Sequence, residues 1–284
     1  MLILIVTEGV GYSQMNCLIM GFGNIGKIHA KYLSKNKILW KWYDPSNIGP
    51  AELRSDLSDI HSFDRVIISS PENKHYDNYK HIRSLGYVGY ILVEKPIAIE
   101  YEHLLEMTDD KKVIAGMVER FNPVLTTLKY SIDVNKIINI DFSRCCENKN
   151  SKVCTMTDIG IHDIDLLFYI TQKENIERPS ILKQNNTFIF TSLNPLCRMI
   201  WSKDTFFKER KIIIRQTDCT YEADLQEQSV IKHWHNDGEH VSKSLFIEKS
   251  SPIENEHNNF FSNNPDYINV KKSHLLLLDL IKNI

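Results

Sequence analysis

The sequence predicts an α/β chain: a doubly wound parallel sheet over residues 1–120, then an α+β domain over 121–284 built on an open, largely antiparallel sheet. Three observations predict it. Short apolar runs alternate with amphipathic stretches over residues 16–116, as successive βα units do. A glycine-rich hexapeptide, "GFGNIG", lies between the first of those runs and the first amphipathic stretch. After about residue 120, strand-like runs follow one another without crossover helices, which implies antiparallel pairing.

In the first domain "NCLIM" reads as a buried strand. "NIGKIHAKYLS" is a helix expected to turn Ile25, Ile28 and Tyr32 to one side. "ILWKWYD", "RVIISS", "YILVEKP" and "KVIAGM" are the further strands, and "NYKHIRSLG" is a helix that Gly86 closes. "YEHLLEM" is the next helix. In the second domain "NPVLTTLKYSI" is helical and "KIINIDFSR" is a strand. "TDIGIHDIDLLFYI" opens with acids and continues as a greasy helix. Strands are expected at "NTFIFTSL", "LCRMIW", "KIIIRQT", "CTYEADL", "SVIKHW" and "SLFIEK". "SSPIENEHNNFFSNN" is polar, but Phe260 and Phe261 argue for order, and "YINVKKSHLLLLDLIKNI" is a closing helix.

The 284 residues are 42% hydrophobic and 25% charged, with a net charge of −2 and no long basic run, so nucleic acid and anionic membrane are poor partners. "MLILIV" is too short to span a bilayer and lacks the basic flank of a signal peptide. Two readings of residues 1–14 stay open, an added strand or an over-extended reading-frame start, and the segment is expected to be dispensable. None of the six cysteines forms a C-x-x-C pair, so reduced thiols and a cytoplasmic location are expected. His233, His235 and His240 lack a supporting carboxylate signature, and no metal site is assigned.

"GFGNIG" places Gly21, Gly23 and Gly26 in a G-x-G-x-x-G pattern between a strand and a helix. The first glycine suits the tight turn, the second the approach of a pyrophosphate, and the third helix–strand contact. The second strand ends in Asp44, eighteen residues past Gly26, where an acid meets the adenosine ribose of a dinucleotide. "SSPENKH" and "EKP" end the third and fourth strands, the edge at which such sheets bind ligands. Lys95 at a buried strand end is either functional or a structural partner of an acid such as Glu94.

Taken in order, "GFGNIG", "SSPENKH", "VEKP", "ERFNP" and "DIGIHDIDLL" resemble the glucose–fructose oxidoreductase / inositol dehydrogenase (Gfo/Idh/MocA) family over about residues 16–284. The resemblance implies a Rossmann domain that binds NAD(P), a second domain whose open sheet forms homo-oligomers, and hydride transfer at a sugar or polyol carbinol. It puts the catalytic lysine at Lys95 and the catalytic aspartate and histidine at Asp158 and His162. Gly21, Phe22, Gly23, Asn24, Ile25, Gly26, Asp44, Ser70, Pro71, His75, Glu94 and Lys95 are then the candidate cofactor-binding residues. His162 would take the hydroxyl proton, Lys95 would hold the carbinol oxygen and lower the histidine's pKa, and Asp158 would orient the imidazole or a substrate hydroxyl. Asp163 and Asp165 read as dipole partners or domain contacts.

The expected cofactor is NAD rather than NADP, because Asp44 repels a 2′-phosphate and "DPSN" offers no arginine to hold one. The expected substrate is a nucleotide-linked hexose, with Arg120, Arg144 and Lys152 as candidates to receive the nucleotide. A free polyol or aldose is the alternative within the class, and a catalytically silent NAD-binding regulator the alternative outside it. Two departures bear on substrate: a short chain, implying trimmed pocket loops, and the polar, cysteine-bearing stretch "SRCCENKNSKVCTMT" before Asp158.

Overall fold

The structure, a computed structural model, describes residues 15–46, 49–147 and 153–283. The expectations for residues 1–14 and for Lys152 fall outside them. The first sheet contains β1 (Asn16–Met20), β2 (Leu39–Tyr43), β3 (Arg65–Ile68), β4 (Tyr90–Glu94) and β5 (Val113–Gly116), all parallel, in the order β2-β1-β3-β4-β5. Apart from Asn16 and Arg65 at their starts, the central strands β1 and β3 are apolar because both faces are covered. The helices are α1 (Asn24–Lys35), α2 (His75–Ser84) and α3 (Tyr101–Asp109). The order reverses between β1 and β3, and the carboxyl ends of those strands therefore flank a crevice.

The second sheet has eight strands: β6 (Ile137–Glu147), β7 (Ser180–Gln184), β8 (Thr187–Leu193), β9 (Leu196–Ser202), β10 (Asp204–Gln216), β11 (Cys219–Asp224), β12 (Ser229–Asn236) and β13 (Glu239–Ser244). Their order is β13-β12-β11-β10-β6-β9-β8-β7, and every pair is antiparallel except β6 with β9. The alternation in β8 puts Phe188 and Phe190 inside and leaves Ile189, Thr191 and Leu193 on the open face. The helices of this half are α4 (Pro123–Ser131), α5 (Ile161–Thr171), α6 (Pro252–Phe260) and α7 (Lys271–Lys282). None of the described helices is long and apolar enough to cross a membrane.

Two sequence expectations need correction, and two elements, β7 and α6, were not anticipated as such. Ile25 and Ile28 are largely exposed; α1 buries Gly26, His29, Ala30, Tyr32 and Leu33 instead, because the face packed on the sheet uses small and hydrogen-bonded side chains. "SLFIEK" is not a strand beyond Ser244; β13 precedes it as the hairpin partner of β12. β7 is mostly exposed and polar, so it carries no apolar alternation to find. α6, inside the polar stretch, starts at Ser251, whose hydroxyl accepts from the Glu254 N–H, with Pro252 in the first turn.

The last thirty residues tie the two sheets together. On the first sheet's side, Arg65 donates to the Phe260 and Ser262 carbonyls, and the Tyr32 hydroxyl donates to Asn258 Oδ1. α7 lies against α5 and α3; on it Ser273 donates to Asp165, and His274 Nε2 accepts from the Ile97 N–H.

Candidate active site

The glycine turn between β1 and α1 is held from three sides. Gly21 has φ +92° and lies so close to β3 that a Cβ would sit 2.4 Å from Ser70 N. A Cβ on Gly26 would meet the Gly21 carbonyl at 2.2 Å, whereas one on Gly23 would meet nothing within 4 Å. α1 has no side-chain cap. Its first N–H groups and the positive end of its dipole therefore stand beside open space at Gly23, which fits a pyrophosphate. Phe22 contributes its backbone: its ring is buried against Trp40 and Trp42, while its N–H donates to Asp44 Oδ2 at 2.7 Å. Asp44 Oδ1 accepts from Ser46 N–H. Burial pushes this carboxyl up, but the N–H donors of Phe22 and Ser46 outweigh it and keep Asp44 ionised. Asn24 is exposed at the helix start.

At the ends of β3 and β4 opens a cleft of about 520 Å³. Ile25, Ser70, Pro71, His75, Glu94, Lys95 and Asp158 are among the residues that line it, so the exposure of Ile25 is exposure to this cleft. His75 is buried, with Nδ1 2.8 Å from the Pro96 carbonyl and Nε2 2.8 Å from the Ser70 carbonyl. Burial pushes its pKa down against those two acceptors. Its ring thus ties the two cleft loops together.

Asp158 does not sit in a regular α-helical first turn. Residues Met156–Gly160 form a single π-type turn that runs into α5, a wider winding often found at functional sites. Trp201 sets its position, for a Cβ on Gly160 would lie 2.9 Å from that ring. The Asp158 carboxylate lies between two ammoniums, with Lys95 Nζ 3.0 Å from Oδ1 and Lys203 Nζ 2.6 Å from Oδ2. Burial raises its pKa, but the two lysines prevail and hold it below the usual carboxylate range. Both oxygens are thus engaged, and no hydrogen bond joins Asp158 to His162 among the described residues, so the expected orienting contact is replaced by the lysine clamp.

His162 is buried, and its Nδ1 has no partner among the described residues. Burial, then Lys95, Arg144, Arg210 and His274, push its pKa well below the ordinary value, so the ring is neutral at pH 7. Next to it Asp163 is buried, accepting from Arg144 and from Trp201 Nε1. Arg144 also donates to Glu119, which takes Arg210 as well. Arg144 is therefore a buried structural ion and not a free receiver for a nucleotide, because both edges of its guanidinium are occupied. Arg120 clamps Asp165 with two hydrogen bonds of 2.6 and 2.7 Å. Lys203 was not identified from sequence: between Ser202 and Asp204 it reads as an exposed hairpin lysine, yet its side chain is 1% exposed. Among the described residues no group of histidine, cysteine, aspartate or glutamate is arranged to hold a metal ion.

No protein-family model matches the chain, and no curated protein matches it by sequence. Solved structures do. The chain is similar to UDP-N-acetylglucosamine 3-dehydrogenase GnnA from Acidithiobacillus ferrooxidans, with a TM-score of 0.80 and 17% identity over 94% of this chain and 96% of that one. It is similar to a levoglucosan dehydrogenase solved with NADH and L-sorbose, with a TM-score of 0.75 and 14% identity over 94% of this chain and 96% of that one. A dehydrogenase, MviM, from Clostridium difficile has a TM-score of 0.72 and 17% identity over 95% of this chain and 100% of that one. The chain therefore shares the fold of these proteins, a parallel five-stranded sheet and a mostly antiparallel eight-stranded one.

Proposed function

We propose that this chain is an NAD-dependent oxidoreductase that oxidises a secondary carbinol of a sugar. The observation that carries the reading is the Lys95–Asp158–Lys203 clamp one turn before neutral, buried His162, with Lys95 and Asp158 lining a cleft that Ile25 of the uncapped helix α1 also lines. NAD, when bound, supplies the acceptor for the hydride that leaves the carbinol carbon. Gly21, Gly23 and the first turn of α1 hold its phosphates, and ionised Asp44 accepts from the adenosine ribose and repels a 2′-phosphate.

An ammonium has three donors, and Lys95 gives two to Asp158, one to the backbone carbonyl at 2.5 Å and one to Oδ1 at 3.0 Å. The third is left for the carbinol oxygen, where it stabilises the negative charge that develops as the proton departs. His162 takes that proton because it is neutral across the working range. The low pKa makes it a weak base at rest, so the Lys95 contact to the oxygen has to lower the alcohol's own pKa. The open face of the second sheet is the surface for homo-oligomerisation.

The substrate is a nucleotide-linked hexose, as in the GnnA neighbour's name, because a handle bound away from the carbinol orients the reacting carbon. The engagement of Arg144 and Arg120 with buried acids favours a second reading, a free aldose or polyol, which needs no such receiver. Comparing kcat/KM with NAD+ for a panel of nucleotide-hexoses against the same free sugars decides between them. Values at least about tenfold higher for nucleotide sugars support the first. Equal values select the second, and no NADH with any sugar removes both and leaves a silent nucleotide-binding regulator.

A further inference from the structure

The two arginines that the sequence suggests as receivers for a nucleotide are spent on buried acids, but a third stands beside one of them. Arg210 on β10 lies directly opposite Arg144 on β6 in the antiparallel register, so both side chains leave the same face of the sheet. Arg144 is enclosed and donates from Nε, Nη1 and Nη2 to Asp163 and Glu119. The Arg210 side chain is 37% exposed and makes one hydrogen bond among the described residues, from Nη1 to Glu119 Oε1 at 2.9 Å. A guanidinium carries five N–H donors, so the Nε–Nη2 edge of Arg210 is left over. Its single bond goes to an oxygen that already accepts from Arg144, and the other Glu119 oxygen accepts from Asn122 at 3.4 Å.

We infer that Arg210 receives an anionic group of the substrate, so that the sugar taken by this site carries a phosphate or a carboxylate. The inference rests on the proposed sugar oxidation and names the class of sugar. Position supports it, because the Arg210 charge is among those that act on His162, the proposed proton acceptor. Charge balance supports it too. Lys95, Lys203, Arg144 and Arg210 are ion-paired among the described residues with three carboxylates, those of Asp158, Asp163 and Glu119. The stretch that follows β6, "NKNSK", carries no acid to make up the difference. Burial, and then the Arg144 cation, push the Arg210 pKa below its ordinary value, and an anion at the exposed edge would relieve both. That edge presents two parallel N–H groups, the spacing that fits two oxygens of one phosphate or carboxylate. Two sources supply such an anion, the diphosphate of a nucleotide-hexose and the carboxylate of a uronic acid.

The test is calorimetric titration of the full chain at pH 7 with UDP-glucose, glucuronate and glucose. At least one of the two anionic sugars should bind more tightly than glucose. Arg210→Gln should weaken that sugar by at least about tenfold, the scale of a lost charge-assisted hydrogen bond, and leave glucose unchanged. Arg210→Lys keeps the charge without the fork and should fall between. Dependence of UDP-glucose on Arg210 assigns the diphosphate, and dependence of glucuronate the carboxylate. Should Arg210→Gln not fold, Arg210→Lys and the salt dependence of the unaltered protein carry the test, since high salt should weaken the anionic sugar and spare glucose. Binding of none of the three, equal binding of all three, or an anionic sugar indifferent to Arg210 overturns the inference. Arg210-dependent binding with no NADH formed from NAD+ refutes the proposed oxidation and leaves the anion site standing. NADH formation at a rate that Arg210→Gln does not change does the reverse.

Discussion

The glycine turn, through Ile25, and the Asp158–His162 segment, through Asp158, reach the same cleft but are built in different ways. The turn is made of backbone: a positive-φ glycine, an uncapped helix and the Phe22 N–H on Asp44, drawn from two short stretches of chain. The Asp158–His162 segment is surrounded by charged side chains from five places: Lys95, Glu119, Arg144, Lys203 and Arg210 converge on Asp158, His162 and Asp163. A backbone site tolerates change at its open positions and fails at its packed ones. The buried charge network is least tolerant at Arg144, the one arginine among the described residues that pairs with both Glu119 and Asp163.

The contrast is most easily broken at Arg144. Arg144→Leu leaves Glu119 and Asp163 buried without their main counter-ion and should lower unfolding free energy by about 3–5 kcal/mol in urea titration. A loss below about 1 kcal/mol would mean that the network is solvated and the distinction false.

Next come the groups proposed to react. Lys95→Ala and His162→Ala should each lower kcat by at least about two orders of magnitude while NAD+ still binds His162→Ala, as seen by steady-state rates and fluorescence titration. Lys203→Met should lower kcat by about tenfold. In an Asp158→Asn background the same change should do little, since Lys203 acts through that carboxylate.

A third expectation concerns pH. His75, His162, His257 and His274 all have folded pKa values pushed below that of a free histidine, chiefly by burial, with His274 near 4. The unfolded chain binds their protons below about pH 6.5 and the folded chain does not, so their contribution is lost as pH falls. Glu256, pushed well up by burial, acts in the opposite sense over the same interval. Four groups against one leave a net loss of a few kcal/mol as pH falls from 7 to 5, measured by urea midpoints. A flat profile would show that the histidines are solvated.

The smallest effect belongs to the backbone site. Gly23→Ala meets open space and should leave the melting temperature unchanged while weakening NAD+ binding by about tenfold, because the methyl occupies the phosphate position. Unchanged affinity would move the pyrophosphate away from this turn.

Much of the fold was legible because it rests on local pattern. All five parallel strands and the helices between them follow from apolar runs and breakers, and β6, β8, β9, β11 and β12 from alternation. β7 and α6 were not legible, since their residues are largely polar, and apolar "SLFIEK" was read as the strand in place of the polar β13 that pairs with β12. The same division runs through the site. Gly21, Gly26, Asp44, Lys95, Asp158 and His162 were marked by spacing or by resemblance. Lys203 was hidden in a hairpin turn, and Arg210 just ahead of a strand-like run.

By itself, then, the sequence determined where the backbone turns, which stretches are buried strands, and which residues stand at the ends of parallel strands facing a crevice. These depend on φ/ψ preference and on periodicity, both of which are properties of neighbours along the chain. Only the tertiary structure decided which charge meets which: that Asp158 is clamped by two lysines instead of orienting His162, that Arg144 is buried with Glu119 and Asp163, and that Arg210 shares Glu119 with Arg144. Ionisation in a buried site depends on desolvation and on partners a few ångströms away in space, and neither is written in the distance between residues along the chain.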